Sequence, residues 1–145
     1  MVVSTKTRYG FRFLIQLGLK YGKGISQIKE VAEKEKISIK YLEHIASILK
    51  LSGIVKVERG SKGGYYLSKP PELMTLLEIM EPLEVSLQLI ECNEENSSCE
   101  LKNNCVMGDF WKDLSDHIKD YLKKRTLADL VESYKTKNRD VMYYI

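Results

Sequence analysis

Cysteine, proline, tryptophan and histidine are all scarce in this chain of 145 residues, with 3, 3, 1 and 2 copies respectively. A small, odd number of cysteines argues against a secreted disulfide framework, which would normally pair them all. No apolar run approaches the roughly 20 residues that a membrane span requires. The opening Met1-Val2-Val3-Ser4-Thr5-Lys6 leads straight into a charged amphipathic segment, without the apolar core of a signal peptide, so a cytoplasmic address and no membrane partner are expected. The two histidines, His44 and His117, lie in no catalytic motif. A nucleotide-cradling glycine loop and a zinc-protease signature are also missing, so a binding protein is expected rather than an enzyme. Internal repeats and low-complexity tracts are absent.

What is present suits a globular protein. Hydrophobic residues at 43% and charged ones at 30% permit a buried core and give no cause for disorder. The length fits one domain, or a small domain with an appended dimerisation element. Charge is divided unevenly: residues 1–69 carry 14 Lys or Arg against 5 Glu and no Asp, a net of +9, while residues 70–145 carry 9 against 15, a net of −6. A basic half joined to an acidic half suggests that the first meets a polyanion, although solvated charge on unrelated faces would look the same. Local pattern has to decide.

Residues 6–21 place Tyr9, Phe11, Phe13, Leu14, Ile15, Leu17 and Leu19 around more than one stripe of a helix, which predicts a largely buried element ended by Gly22 and Gly24. Ser26 is the expected N-cap of a short helix with Ile28, Val31 and Ala32 on one face. Ser38 caps a third helix in which Leu42, Ile45, Ala46 and Leu49 follow the i, i+3, i+4, i+7 rule. Gly53 closes it, Ile54-Val55-Lys56-Val57-Glu58 reads as a strand, and Arg59-Gly60-Ser61-Lys62-Gly63-Gly64 turns the chain back into Tyr65-Tyr66-Leu67. Two short helices, a tight turn and a hairpin describe a winged helix-turn-helix.

Beyond Pro70-Pro71, Thr75…Glu78 and Thr126…Asp129 are expected capping boxes at the starts of two short helices. Between them Met107, Phe110, Trp111, Leu114, Ile118, Tyr121 and Leu122 form a stripe about four turns long, the longest helix. That stripe reads as a dimer interface or, with equal weight, as intramolecular packing. The expected fold is mainly α with a small β-hairpin wing: a winged helix-turn-helix over residues 1–70, a cysteine-loop and dimerisation region over 71–135, and a weakly ordered tail over 136–145.

In a helix-turn-helix the second helix enters the major groove by its N-terminal end. Ser38, Lys40, Tyr41 and Glu43 occupy that end. Glu43 can accept from a cytosine amino group but is repelled by phosphate, so it suits discrimination rather than affinity. His44 reads as a solvated helix residue. At the hairpin tip Arg59 suits the negative potential of a narrow minor groove, and Ser61 and Lys62 lie beside it for phosphate. The expected partners are double-stranded DNA and a second copy of the chain.

Cys92, Cys99 and Cys105 lie in a polar loop, six and five residues apart. Soft thiolates in a reducing compartment favour an iron–sulfur cluster or zinc. Zinc sites usually contain a pair of ligands separated by two to four residues, and no such pair exists here, so a cluster has the better claim.

Lys6-Thr7-Arg8-Tyr9-Gly10, Ile37-Ser38-Ile39-Lys40-Tyr41-Leu42-Glu43, Arg59-Gly60-Ser61-Lys62-Gly63-Gly64-Tyr65 and Phe110-Trp111-Lys112-Asp113-Leu114-Ser115-Asp116 resemble the IscR-like iron–sulfur cluster regulators of the Rrf2 family of winged-helix transcriptional repressors. The likeness covers nearly the whole chain. It implies a dimer in which a three-cysteine loop holds a cluster near the long helix, with Arg59 and the segment from Ser38 to Glu43 on DNA. Members that bind a 2Fe–2S cluster with three cysteines and a histidine place the histidine three residues after the last cysteine, where this chain has Gly108. A nitric-oxide-sensing branch uses an acidic residue early in the first helix, where Arg8 stands. The fourth ligand thus stays open among Asp109, Glu91, Glu100 and His44, and the cluster between 2Fe–2S and 4Fe–4S. The resemblance implies a cluster-sensing repressor of iron–sulfur assembly genes. Its rivals are a repressor of the same fold that senses nitric oxide, redox state or cysteine metabolism, and a structural metal protein or redox enzyme that binds no DNA.

Overall fold

A computed structural model describes residues 2–93 and 98–143. The middle of the cysteine loop, residues 94–97, and the last two residues of the expected tail lie outside the described residues. Helix α1 (Thr5–Leu19) starts where the Ser4 hydroxyl accepts the Thr7 N–H at 3.1 Å. Past its end the chain takes left-handed backbone at Gly22, with φ +77°.

Helix α2 (Ile28–Glu35) does not use the expected cap. Gln27 occupies the N-cap position without a side-chain bond. Ser26 is instead buried and joins the wing, exchanging backbone bonds with Tyr65 at 2.9 and 2.8 Å. The pull of an unpaired strand edge thus outweighs the small gain from a side-chain cap. Lys36, in left-handed backbone with φ 56°, makes the turn into α3 (Ile39–Leu51). The expected cap holds there: Ser38 Oγ accepts the Tyr41 N–H at 3.2 Å.

Strands β1 (Val55–Glu58) and β2 (Gly64–Leu67) form the antiparallel hairpin, with Val55 opposite Leu67 and Glu58 opposite Gly64. A Cβ on Gly64 would stand 2.5 Å from the Ser26 carbonyl oxygen. Glycine is therefore required there for the wing to close on Ser26.

A 3-10 turn at Pro71–Leu73 leads into α4 (Leu76–Met80), then come α5 (Val106–Lys124) and α6 (Leu127–Tyr143). Each expected capping box is half formed. Thr75 Oγ1 accepts the Glu78 N–H at 3.2 Å, but the Glu78 carboxylate turns to Lys69 at 2.6 Å. Asp129 Oδ2 accepts the Thr126 N–H at 2.9 Å.

The expected boundary near residue 70 is crossed by one continuous core. Phe13, Leu14, Leu42, Ile45 and Leu49 pack in the same cluster as Met74, Ile79, Leu83, Leu127 and Val131. Backbone bonds from Leu76 N to Arg125 O at 2.9 Å and from Leu127 N to Met74 O at 2.8 Å tie the entry of α6 to α4. Helix α6 also continues past Lys135, where a short helix and a weakly ordered tail were expected. Its sequence contains neither glycine nor proline, and the Lys34 ammonium lies over the Tyr134 ring, 5.8 Å from its centroid.

Candidate nucleic-acid interface and cysteine segment

The core-facing stripe of α3 leaves Ser38, Lys40, Glu43 and His44 exposed, with Tyr41 half-buried. Tyr41 is held from both sides. The Tyr9 ring of α1 meets it edge-on at 5.9 Å between centroids, and the His44 ring stacks on it at 6.4 Å. Behind Tyr9, the Arg12 guanidinium lies 5.3 Å from the ring centroid, Arg12 Nε donates to Glu35 Oε2 at 2.8 Å, and a second Arg12 nitrogen bonds the Glu35 carbonyl. Buried Gln16 donates to the other Glu35 oxygen at 2.6 Å. An aromatic and ionic chain therefore fixes the C-terminal end of α2 and the first turns of α3 to the same face of α1.

Arg59, Ser61 and Lys62 are exposed together in the turn between β1 and β2, as the sequence predicted. Burial raises the Tyr65 phenol above its ordinary pKa, and the negative charge of Glu43 raises it further. Ser38, Lys40, Tyr41 and Glu43 thus share one helix end, while Arg59, Ser61 and Lys62 share the hairpin tip. Sequence reading missed Tyr9 and Arg12 as supports of Tyr41, because their contacts cross between helices. The one available signal was an arginine three residues after an aromatic on the helix expected to be most buried.

The cysteines lie between α4 and α5. Cys92 lies in a 3-10 turn at Glu91–Asn93, Cys99 is exposed, and Cys105 is at the N-cap of α5. Cys105 Sγ accepts the Gly108 N–H at 3.4 Å. Cys92 and Cys99 line one open cavity with Glu84, Ser86, Gln88 and Glu91, and Cys105 is not part of that lining. Three soft sulfur donors on one segment suit an iron–sulfur cluster as a donor set. Among the described residues, however, no group of three His, Cys, Asp or Glu side chains is gathered closely enough for a metal ion.

The wall of this cavity is tied to two helices. Ser115, fully buried in α5, accepts the Leu89 N–H at 3.2 Å and donates to the Trp111 carbonyl at 2.8 Å. Glu84 Oε1 accepts both the N–H and the hydroxyl of Ser4, each at 2.9 Å. Neither residue carried a sequence signal. Of the proposed fourth ligands, Glu91 lines the cavity, Glu100 and Asp109 are exposed, and His44 is stacked on Tyr41 in the reading helix. Arg8 donates to Thr5 Oγ1 at 2.9 Å.

The long apolar stripe of α5 divides into two. Trp111, Ile118 and Leu122 are half-buried, Leu122 against Leu77, Met80 and Leu87. Met107, Phe110, Leu114 and Tyr121 remain 53, 53, 39 and 59% exposed. Among the described residues no helix is long and apolar enough to cross a membrane.

The pattern of the Rrf2 family, described as iron-dependent transcriptional regulators, matches residues 3–133. The HTH-type transcriptional regulator CymR of Bacillus subtilis is 32% identical over 145 residues, all of this chain and all of that protein. The HTH-type transcriptional regulator IscR of Pectobacterium atrosepticum is 30% identical over 95% of this chain and 84% of its own length. Among solved structures, CymR, named there as the global cysteine regulator of B. subtilis, superposes with a TM-score of 0.76 at 32% identity, covering 92% of this chain and 98% of that one. T. potens IscR superposes with a TM-score of 0.75 at 30% identity, covering 92% and 88%. Fold, helix-turn-helix and wing agree with these relatives, and the chain belongs to the Rrf2 family of DNA-binding transcriptional regulators.

Proposed function

We propose that this chain is a homodimeric cytoplasmic repressor whose choice of DNA site is set by an iron–sulfur cluster on Cys92, Cys99 and Cys105, acting on iron–sulfur assembly genes. The observation that carries the reading is the placement of three cysteines on a segment bonded to α1 at Ser4 and to α5 at Ser115. When bound, the cluster supplies iron–thiolate bonds whose formation can order a segment, since ligation free energy is then folding free energy. The fourth ligand is left to the candidates named above, and both 2Fe–2S and 4Fe–4S fit three thiols.

The remaining work falls to protein groups. Ser38 and Lys40 present a hydroxyl and a cation at the groove-facing end of α3, and Tyr41 is braced there by Tyr9 and His44. Glu43 discriminates against sites lacking a donor opposite it, because an unpaired carboxylate near phosphate is repelled. Arg59, Ser61 and Lys62 extend the contact along the backbone and into the minor groove. Two copies joined through Met107, Phe110, Leu114 and Tyr121 would present paired reading helices to a two-fold-related site. An anaerobic preparation tests the cofactor. Visible absorption with stoichiometric iron and acid-labile sulfide, lost in a triple Cys→Ala variant, is expected; a colourless, iron-free protein after anaerobic reconstitution overturns the cluster.

A second reading is favoured by the full-length match to CymR: the same thiols sense cysteine metabolism or redox state without a cluster. It predicts reversible, oxidant-dependent DNA binding by iron-free protein.

A further inference from the structure

Glu84 joins the two halves of the molecule. It lines the cavity that contains Cys92 and Cys99, and its carboxylate grips the N-terminus of α1 through the N–H and hydroxyl of Ser4, at 2.9 Å each. The Thr7 hydroxyl lies 3.2 Å from Ser4 Oγ, and Thr7 is fully buried. Leu83, the residue before Glu84, adds a second clamp: a Cβ on Gly10 would stand 2.6 Å from Leu83 Cδ1, so α1 and the start of the cavity wall are in direct contact. Ser4 in turn caps α1 by accepting the Thr7 N–H.

From Ser4 to Tyr9 is about 8 Å along the helix axis at roughly 1.5 Å per residue. Tyr9 is the residue that meets Tyr41 of the reading helix. A displacement of the cavity wall is therefore transmitted to α1 at its first turn and reaches α3 one and a half turns later through a ring contact. Helices are stiff over this distance and packed cores do not deform continuously, so the movement is passed on rather than absorbed.

We propose that Glu84 is a positioning residue that couples the state of the cysteine cavity to the reading helix through the first turn of α1. The inference rests on the reading that the cysteine segment regulates DNA binding, but not on the identity of what the cysteines hold. Coupling between two sites is reciprocal. DNA bound at α3 must then alter the cavity as surely as the cavity alters DNA binding.

The test uses the reduced, cluster-free full chain and a duplex selected by the wild-type protein from a random-sequence library. Alkylation of Cys92 by iodoacetamide is followed by mass spectrometry with and without the duplex, with Cys105, which lies outside the cavity lining, as internal reference. Wild type is expected to change its Cys92 rate by at least about fivefold on binding, the lower end of ordinary coupling. In Glu84→Ala the ratio of bound to unbound rates is expected to fall to about one. A merely structural Glu84 would shift both rates together and leave their ratio intact. Should Glu84→Ala fail to fold, Glu84→Gln and Ser4→Ala serve: the amide keeps an oxygen for Ser4 and is expected to retain part of the coupling, whereas Ser4→Ala removes one of the two bonds and reduces it. A wild-type ratio of one, or an unchanged ratio in the variants, overturns the proposal. Loss of the cluster reading through the iron and sulfide assay would leave this measurement untouched.

Discussion

Glu35→Ala offers the sharpest test of how the helix-turn-helix is held. The Glu35 side chain is only 12% exposed and accepts from Arg12 Nε at 2.8 Å and from Gln16 Nε2 at 2.6 Å. Truncation leaves the Gln16 amide buried without this acceptor, which costs about 1–3 kcal/mol. The Arg12 guanidinium is 44% exposed, so water replaces much of its lost partner and that loss adds only about 0.2–1 kcal/mol. The expected destabilisation is therefore about 1–4 kcal/mol, dominated by the buried amide rather than by the ion pair. Urea denaturation should show a lower midpoint at unchanged slope. Because the larger share is a desolvation effect, about 1 M salt should recover little of it. DNA affinity should fall as well, since Arg12 also supports Tyr9 behind Tyr41. Glu35→Gln, which keeps one acceptor oxygen, should lie between the two proteins. A loss below about 0.5 kcal/mol, the range of ordinary surface substitutions, would refute the reasoning.

Arg59→Ala should weaken binding to a specific duplex by about 1–3 kcal/mol in a titration, and binding should weaken steeply with salt as counterions are released. Unchanged affinity would remove the wing from the interface. Replacing Trp111 and Leu114 together by polar residues should yield monomers with weakened DNA binding, whereas wild type should sediment as a dimer at micromolar concentration. Glu84 gives a pH test. Partial burial pushes its carboxyl pKa up, but the bonds from Thr7 and Ser4 and the charge of Lys6 outweigh this and hold it below the ordinary value. Its stabilisation is accordingly present above the unfolded carboxylate pKa and lost as pH falls through the lower folded value. Thermal midpoints between about pH 6 and about pH 3 should fall less steeply in Glu84→Gln than in wild type, and parallel curves would contradict the assignment.

Periodicity and caps made the DNA-binding half legible. Leu42, Ile45, Ala46 and Leu49 are all buried and Ser38 caps α3, because both signals are local to one helix. Ser26 failed as a cap because its alternative partner, Tyr65, lies 39 positions away in the chain. The same distance effect hid the common core: Leu127 and Val131 occupy the space beside α1 that a separate domain would have left to solvent. Cys92, Cys99 and Cys105 could be recognised by type, but their grouping could not. Spacing along a loop constrains reach rather than direction, and Cys105 is set at the N-cap of α5, where its sulfur accepts the Gly108 N–H.

Both sensing readings place the same demand on the fold. A signal at the cysteines can alter DNA binding only if it favours one arrangement of the reading helix over another. Helix α3 is anchored by its core stripe, by Tyr9 through Tyr41, and by the Arg12–Glu35 link at the preceding turn. The last two anchors both belong to α1, and α1 is also the helix that Glu84 and Leu83 hold from the cavity side. The wing meets the α1 core separately, through Phe13 and Tyr65 at 5.7 Å between ring centroids. A shift of α1 would thus reach α3 and the wing through two separate ring contacts, Tyr9 on Tyr41 near the start of the helix and Phe13 on Tyr65 a turn later. The readable consequence is a change in which sites are accepted, more than a uniform change in affinity, since phosphate contacts tolerate small displacements and base-edge contacts such as those open to Glu43 do not.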